Sequence, residues 1–201
     1  MPAVKAHTAD LATRLVDEAG RVLSTEGAAA LSLRRLAAAT GTSTMAVYTL
    51  FGDKQGLLRA MYRAGFERLG KTISAAVDGA DEPLAALADL GYAYRRAALA
   101  NPHLYDLMFG RPVAAFEPDP ADREVAEATF RPLVEAVQRC VDVGVMVAPD
   151  AERAAFHLWA VTHGMVSLEL AGQLPGDRAE RDAAYTDALI FSSIPFLPQA
   201  G

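Results

Sequence analysis

Residues Thr42–Leu58 read TSTMAVYTLFGDKQGLL. Ser43 stands just before an uninterrupted run, Thr44–Phe51, and Gly52 follows it. A serine in that place accepts a hydrogen bond from one of the unpaired amides of a helix's first turn. A glycine just past the end takes the backbone conformation that stops a helix. The stretch therefore predicts a short helix over 44–51. Asp53 is then the cap of a longer helix, about Lys54 to Val77. Immediately upstream, ALSLRRLAAATG repeats the grammar: Ser32 caps, Leu33, Leu36 and Ala37 share one face, and Gly41 ends the helix. Two short helices joined by a tight, glycine-containing turn follow the helix-turn-helix plan. A major groove is wide enough for the second of them. A plain α-helical hairpin satisfies the same pattern, so periodicity alone leaves both readings open.

Working outward, apolar residues recur at helical spacing throughout and strand alternation is absent. A first helix is expected from about Thr8 to Glu26, with Leu11, Leu15, Ala19, Val22 and Leu23 inward and Gly27 as its stop. DGADEP (78–83) reads as a loop and a domain boundary. LAALADLGYAYRRAALA is amphipathic, and Asn101-Pro102 starts a short helix, PHLYDLMFG. Residues 110–120 form a proline-rich loop. A helix from about Ala121 to Val145 contains Pro132, which should kink or split it. Pro149 opens a further helix to Ala171, and a last one runs from about Arg178 to Phe196. The expectation is an all-α chain of about nine helices. It comprises a three-helix reading domain (1–53), a connecting helix (54–77) and a helical domain for ligand binding and dimerisation (78–201).

The chain has 201 residues, 52% hydrophobic and 22% charged, which is ordinary for a folded globular protein. One cysteine, Cys140, excludes an intramolecular disulfide and a cysteine-cluster zinc site. The start, MPAVKAHTAD, has no apolar signal core, and no apolar run approaches the roughly 20 residues of a membrane span. A soluble cytoplasmic protein is expected. The net charge of −6 argues against nucleic acid for the chain as a whole, but it is uneven. Residues 1–71 hold 10 Lys/Arg against 6 Asp/Glu, whereas 72–201 hold 9 against 19. A basic N-terminal third on an acidic remainder suggests two jobs.

The outward positions of helix 44–51 should be Thr44, Met45, Tyr48 and Thr49, a set without a carboxylate. Threonines can hydrogen-bond phosphate or base edges, Met45 can pack on a thymine methyl, and Tyr48 offers a phenol to a phosphate. Lys54 falls in the first turn of the next helix, where amides and the helix dipole already favour an anion.

LSLRRLAAATGTSTMAVYTLFGDKQGLLRAMY resembles the N-terminal domain of TetR-family transcriptional repressors. The resemblance rests on Leu33, Leu36, Ala37, Gly41 and Ser43 and on the spacing Tyr48-x-x-Phe51-x-x-Lys54-x-x-Leu57. It implies a three-helix DNA-binding domain, a larger helical ligand-binding domain and a homodimer on a palindromic operator. It further implies phosphate contacts by Tyr48 and Lys54 and backbone contacts at Ser32, Thr42 and Ser43. Met45 and Thr49 fall on base-reading positions, with Thr44 adjacent. Leu50 departs from the pattern, because that position is often a histidine able to reach DNA. Either one contact is missing or Leu50 packs between helices, and its apolar character favours packing.

HLYDLMFG and Trp159 with His163-Gly164 resemble a TetR subgroup with a Trp/His-Gly signature in its C-terminal domain. Tyr94, Leu104, Leu107, Met108, Phe109, Phe130, Trp159 and His163 are the candidate lining of an effector pocket between helices. A plain hydrophobic core would use the same residue types. The helices at about 150–171 and 178–196 are apolar enough to need burial on more than one side, which pairing with their twins in a homodimer supplies. His7, His103, His157 and His163 lack metal-site spacing, and no nucleophile elbow, P-loop or dinucleotide fingerprint occurs. No catalytic residue, metal or cofactor is expected. The partners implied are an operator duplex, a small apolar effector and a second copy. An all-α small-molecule-binding protein or enzyme using the C-terminal pocket is the alternative.

Overall fold

The computed structural model describes residues 2–77, 82–110, 113 and 116–199, with side chains from residue 8 onward. Its described residues form nine α-helices and no strand. They are α1 (Pro2–Glu26), α2 (Leu33–Ala39), α3 (Thr44–Phe51), α4 (Lys54–Val77), α5 (Pro83–Ala100), α6 (Pro102–Tyr105), α7 (Pro120–Asp142), α8 (Ala151–Leu170) and α9 (Arg178–Ser193). A π-helical turn, Asp106–Gly110, follows α6, and a 3-10 turn, Ile194–Phe196, follows α9. No described helix is long and apolar enough to cross a membrane. Most of the expected loop at 78–83 and part of that at 110–120 lie outside the described residues.

Several boundaries shift for local reasons. α1 begins at Pro2 rather than Thr8, with proline at a position where its missing N–H is no loss. α7 runs unbroken through Pro132. α8 is capped by Asp150, whose side chain accepts from the Arg153 amide at 3.1 Å, so Pro149 lies before the cap rather than in the helix. α9 opens on a capping box between Asp177 and Glu180, and it gives way to the tighter turn at Ile194, one residue before Pro195.

The chain divides into two compact units. One is Met1–Glu67 with Asn101–Ala126, and the other is Arg68–Ala100 with Glu127–Gly201. This division differs from the single domain expected over 78–201, and the cause is apolar burial. Leu104, Leu107, Val113 and Phe116 join Leu15, Leu36, Val47, Leu57, Leu58 and Met61 in one core. Two glycines admit the returning segment. A Cβ on Gly20 would lie 1.9 Å from His103 Cδ2, and one on Gly65 would lie 2.5 Å from Met108 Sδ.

Charge fastens the same segment. Asp122 is fully buried and accepts from Arg63 Nε at 2.5 Å and Arg59 Nε at 3.1 Å. Asp119 and Asp122 also accept from each other's amides, at 2.9 and 3.0 Å, which caps the start of α7. In the second unit, Arg95 forks onto Glu169 at 2.7 Å, reaches Asp182 at 2.7 Å and lies over the Tyr185 ring. Those contacts join α5, α8 and α9. Tyr185 donates to the Gly91 carbonyl at 2.6 Å, and the buried, free Cys140 fills apolar space in the same unit.

Burial pushes the Asp122 carboxyl up, but the Asp119 amide and the Arg63 and Arg59 guanidiniums outweigh it and hold it below its ordinary value. A carboxyl depressed in the folded state stabilises fully above its unfolded pKa, roughly 4, and loses that contribution as pH falls through the lower folded value. Asp122→Asn should therefore cost about 2 kcal/mol at pH 7 and flatten the acid limb of stability. Thermal unfolding of both proteins between pH 7 and 3 measures this, and the two curves should converge at the acid end.

Candidate nucleic-acid interface

α3 has only eight residues, too few to hold together alone, so its neighbours must position it. Ser43 Oγ accepts from the Ala46 amide at 3.1 Å, and Ser32 Oγ caps α2 through the Arg35 amide at 3.3 Å. Val47 is fully buried, while Leu50 and Phe51 pack half-buried against the same core. Leu50 is thus a packing residue in this fold.

The corner after α3 is tighter than its sequence suggests. Gly52 has φ +74° and ψ −65°, and the Asp53 amide reaches back to the Phe51 carbonyl at 2.9 Å, which makes a γ-turn. The same carbonyl closes on the next helix, because a Cβ on Gly56 would lie 1.8 Å from the Phe51 oxygen. The Gly56 amide in turn donates to Asp53 Oδ1 at 2.8 Å. In the sequence alone Gly56 looks like an ordinary first-turn residue. Its one signal there is that it weakens a helix just after the cap without a reason of its own.

Around this corner the expected site residues divide. Met45 is 75% exposed, Tyr48 46% exposed, and Ser32, Ser43 and Thr49 are accessible or partly so, all in the first unit. Thr42 and Thr44 are half-buried. Thr49 donates its hydroxyl hydrogen to the Met45 carbonyl at 2.9 Å. Lys54 is half-buried, and its Nζ donates to the Ala28 carbonyl at 2.6 Å. The ammonium therefore fastens α4 to the loop after α1, with two of its three donors remaining.

Folding changes the charge balance. Residues 1–71 carry an excess of cations, but the first unit as folded stops at Glu67, which leaves out Arg68 and Lys71, and includes Asn101–Ala126, so it holds 10 Lys/Arg against 11 Asp/Glu. Arg35 forks onto Glu26, Arg21 onto Glu18, and Arg59 and Arg63 are held by Asp119 and Asp122. Arg14 donates to the Thr40 carbonyl at 2.9 Å, at the C-terminal end of α2. The unit's overall charge therefore supplies no general attraction for a polyanion, and Arg34 on α2 is an exposed local cation.

The eight aromatic or soft residues expected around an effector fall in both units. Tyr94, Phe130, Trp159 and His163 come together in the second. The Tyr94 hydroxyl and His163 Nδ1 are 3.0 Å apart, and Ser167 Oγ lies 3.5 Å from His163 Nε2. Trp159 lies 5.4 Å from the His163 ring and 5.9 Å from that of Phe130. Burial holds the His163 imidazole below its ordinary pKa and so favours the neutral ring. Leu104, Leu107, Met108 and Phe109 belong to the first unit. Leu104 and Leu107 are core, Met108 faces Gly65, and Phe109 packs on Tyr105 and Phe66 at 4.8 and 5.5 Å. Among the described residues, no group of three or more His, Cys, Asp or Glu could hold a metal ion.

Gly56→Ala puts a methyl where the Phe51 carbonyl is, and backbone must move to relieve it. A loss of about 2 kcal/mol is expected, within the range for overpacking. Gly164→Ala, in the interior of α8 where a Cβ meets nothing, should instead raise the urea midpoint, by about 0.5–1 kcal/mol of helix stabilisation, and chemical unfolding of both variants measures the contrast.

Comparison with known proteins bears on the family and the fold. The model of the family described as "Bacterial regulatory proteins, tetR family" matches residues 15–61. The one described as "Tetracyclin repressor-like, C-terminal domain" matches residues 87–190. An HTH-type transcriptional regulator of Mycobacterium tuberculosis is 28% identical over 87% of each chain. A solved structure of a protein of unknown function from Rhodococcus sp. RHA1 is 30% identical, covers 94% of this chain and 96% of its own, and superposes with a TM-score of 0.80. A TetR family transcriptional regulator from Thermus thermophilus is similar in fold, with a TM-score of 0.71 at 22% identity over 89% of this chain and 97% of its own. With both family models matched in order along one all-α chain, the protein belongs to the TetR family of transcriptional regulators.

Proposed function

We propose that this chain is a ligand-responsive repressor that binds a palindromic operator as a homodimer and is released by a small apolar effector. The observation that carries the reading is the α3 face. Met45, Tyr48 and Thr49 stand exposed on a helix capped at its start and locked at its end, with its other face in the core. In this reading Met45 and Thr49 meet bases, with Thr44 beside them. Tyr48, Ser32, Thr42, Ser43 and the remaining donors of Lys54 meet the phosphate backbone.

Dimerisation is proposed through α8 and α9. Phe156 and Leu168 on α8 and Ile190 and Phe191 on α9 are exposed, and Ile194 extends the apolar surface just beyond. Exposed apolar residues gathered on two adjoining helices are what a partner helix pair would cover. Two copies related by a two-fold axis would present two α3 helices to a palindrome.

The effector is proposed to lie at the Tyr94–Phe130–Trp159–His163 cluster and to act through α4, which runs from the first unit into the second. Release requires that the effector favour the non-binding spacing of the two heads, since equal affinity for both states shifts nothing.

Fluorescence anisotropy with the chain's own upstream duplex tests the proposal. Binding should weaken about a hundredfold between roughly 50 and 200 mM salt if about four phosphates are neutralised. Tyr48→Ala should weaken it about tenfold. Phe191→Glu should yield a folded monomer that no longer binds the full palindrome tightly. Absence of any duplex-specific complex at low salt would overturn the reading.

A further inference from the structure

The residues of α3 leave few ways to read a base. The helix is TMAVYTLF, and it contains no Arg, Lys, Asn, Gln, Asp or Glu. The side chains that make bidentate contacts to guanine or adenine, or accept from cytosine, are all missing from it. Its most exposed large apolar residue is Met45, a thioether at 75% exposure. Thr49, one turn further on the same face, donates its hydroxyl hydrogen to the Met45 carbonyl at 2.9 Å. That leaves it a methyl group and an acceptor oxygen. Tyr48 is the third exposed member, and its phenol sits three residues from Met45. Leu50 and Phe51 are packed against the core and are not available. In the turn before α3, Ser43 Oγ accepts from the Ala46 amide, which holds the hydroxyl against the start of its own helix.

Resting on the DNA-binding reading, we infer that α3 recognises its operator chiefly through the 5-methyl groups of thymine, with Met45 as the residue that contacts them. In the major groove, the base feature an apolar side chain can distinguish is that methyl. Burying it against a thioether removes apolar surface from water from both partners. A bidentate hydrogen-bonding code would need the Arg, Lys, Asn, Gln or carboxylate side chains that this helix does not possess. A shape code alone would leave Met45 without a role at the most exposed apolar position of α3.

The test separates this inference from the reading beneath it. Duplexes are enriched from a random-sequence library with the full-length chain. Thymines in the enriched half-site are then replaced one at a time by deoxyuridine, which removes only the methyl. At the positions α3 faces, each replacement in a half-site should weaken binding about fourfold, the scale of one buried methyl. Met45→Ala, at an exposed position that leaves the core intact, should bind the thymine duplex more weakly and become insensitive to the same replacements. If a duplex is enriched and tightly bound but no deoxyuridine replacement changes its affinity, the inference fails while DNA binding stands. If Met45→Ala keeps the full deoxyuridine penalty, another side chain reads the methyl and Met45 is not the reader. If no duplex is enriched, the DNA-binding reading fails and this inference falls with it.

Discussion

The contact on which the first unit's geometry turns is the approach of the Phe51 carbonyl to the α-carbon of Gly56. It fixes the angle at which α3 meets α4, and it is possible only because residue 56 has no Cβ and residue 52 can hold a positive φ. α3 cannot supply this order itself. Eight residues form about two turns, and the entropy of fixing them exceeds what their own hydrogen bonds return. Its position is therefore borrowed from the Ser43 cap, from Val47 in the core and from the corner that follows. With those three constraints set, the identity of the exposed residues is free to vary without unfolding the helix. That freedom is what a recognition surface needs.

The parts of this design that are legible in the sequence are the local ones. Ser32, Ser43 and Asp53 each cap a helix a few residues away, and Gly41 and Gly52 end helices they adjoin, so spacing alone exposes them. Leu50 is legible because a large apolar residue beside Phe51 has few good places except a core. The C-terminal cluster is legible in part. Tyr94, Phe130, Trp159 and His163 share a unit, whereas Leu104, Leu107, Met108 and Phe109 resemble them in composition and belong elsewhere. Aromatic and sulfur-bearing residues at helical spacing do not carry the name of the core they join.

What stays hidden depends on partners far along the chain. Arg59 and Arg63 look like free cations until Asp119 and Asp122, some sixty residues later, close on them. Their capture, with the return of Asn101–Ala126, turns an apparently basic head into one near electrical balance. Lys54 reads in the sequence as a simple phosphate anchor, yet the carbonyl it holds belongs to Ala28, in a loop whose oxygens no pattern announces. In each case the residue is conspicuous but its occupation is not. Charge counted along a sequence is an inventory, and folding decides how much of it remains available.

The central claim is that α3 is the element that meets DNA and that Met45 leads it. Methyl NMR on the full-length protein with labelled methionine tests this most directly. On adding an enriched duplex, the Met45 methyl should shift strongly and show cross-peaks to thymine 5-methyl groups. The Met61 methyl, fully buried in the same unit, should move little. A duplex that binds while the Met45 resonance stays in place would contradict the account.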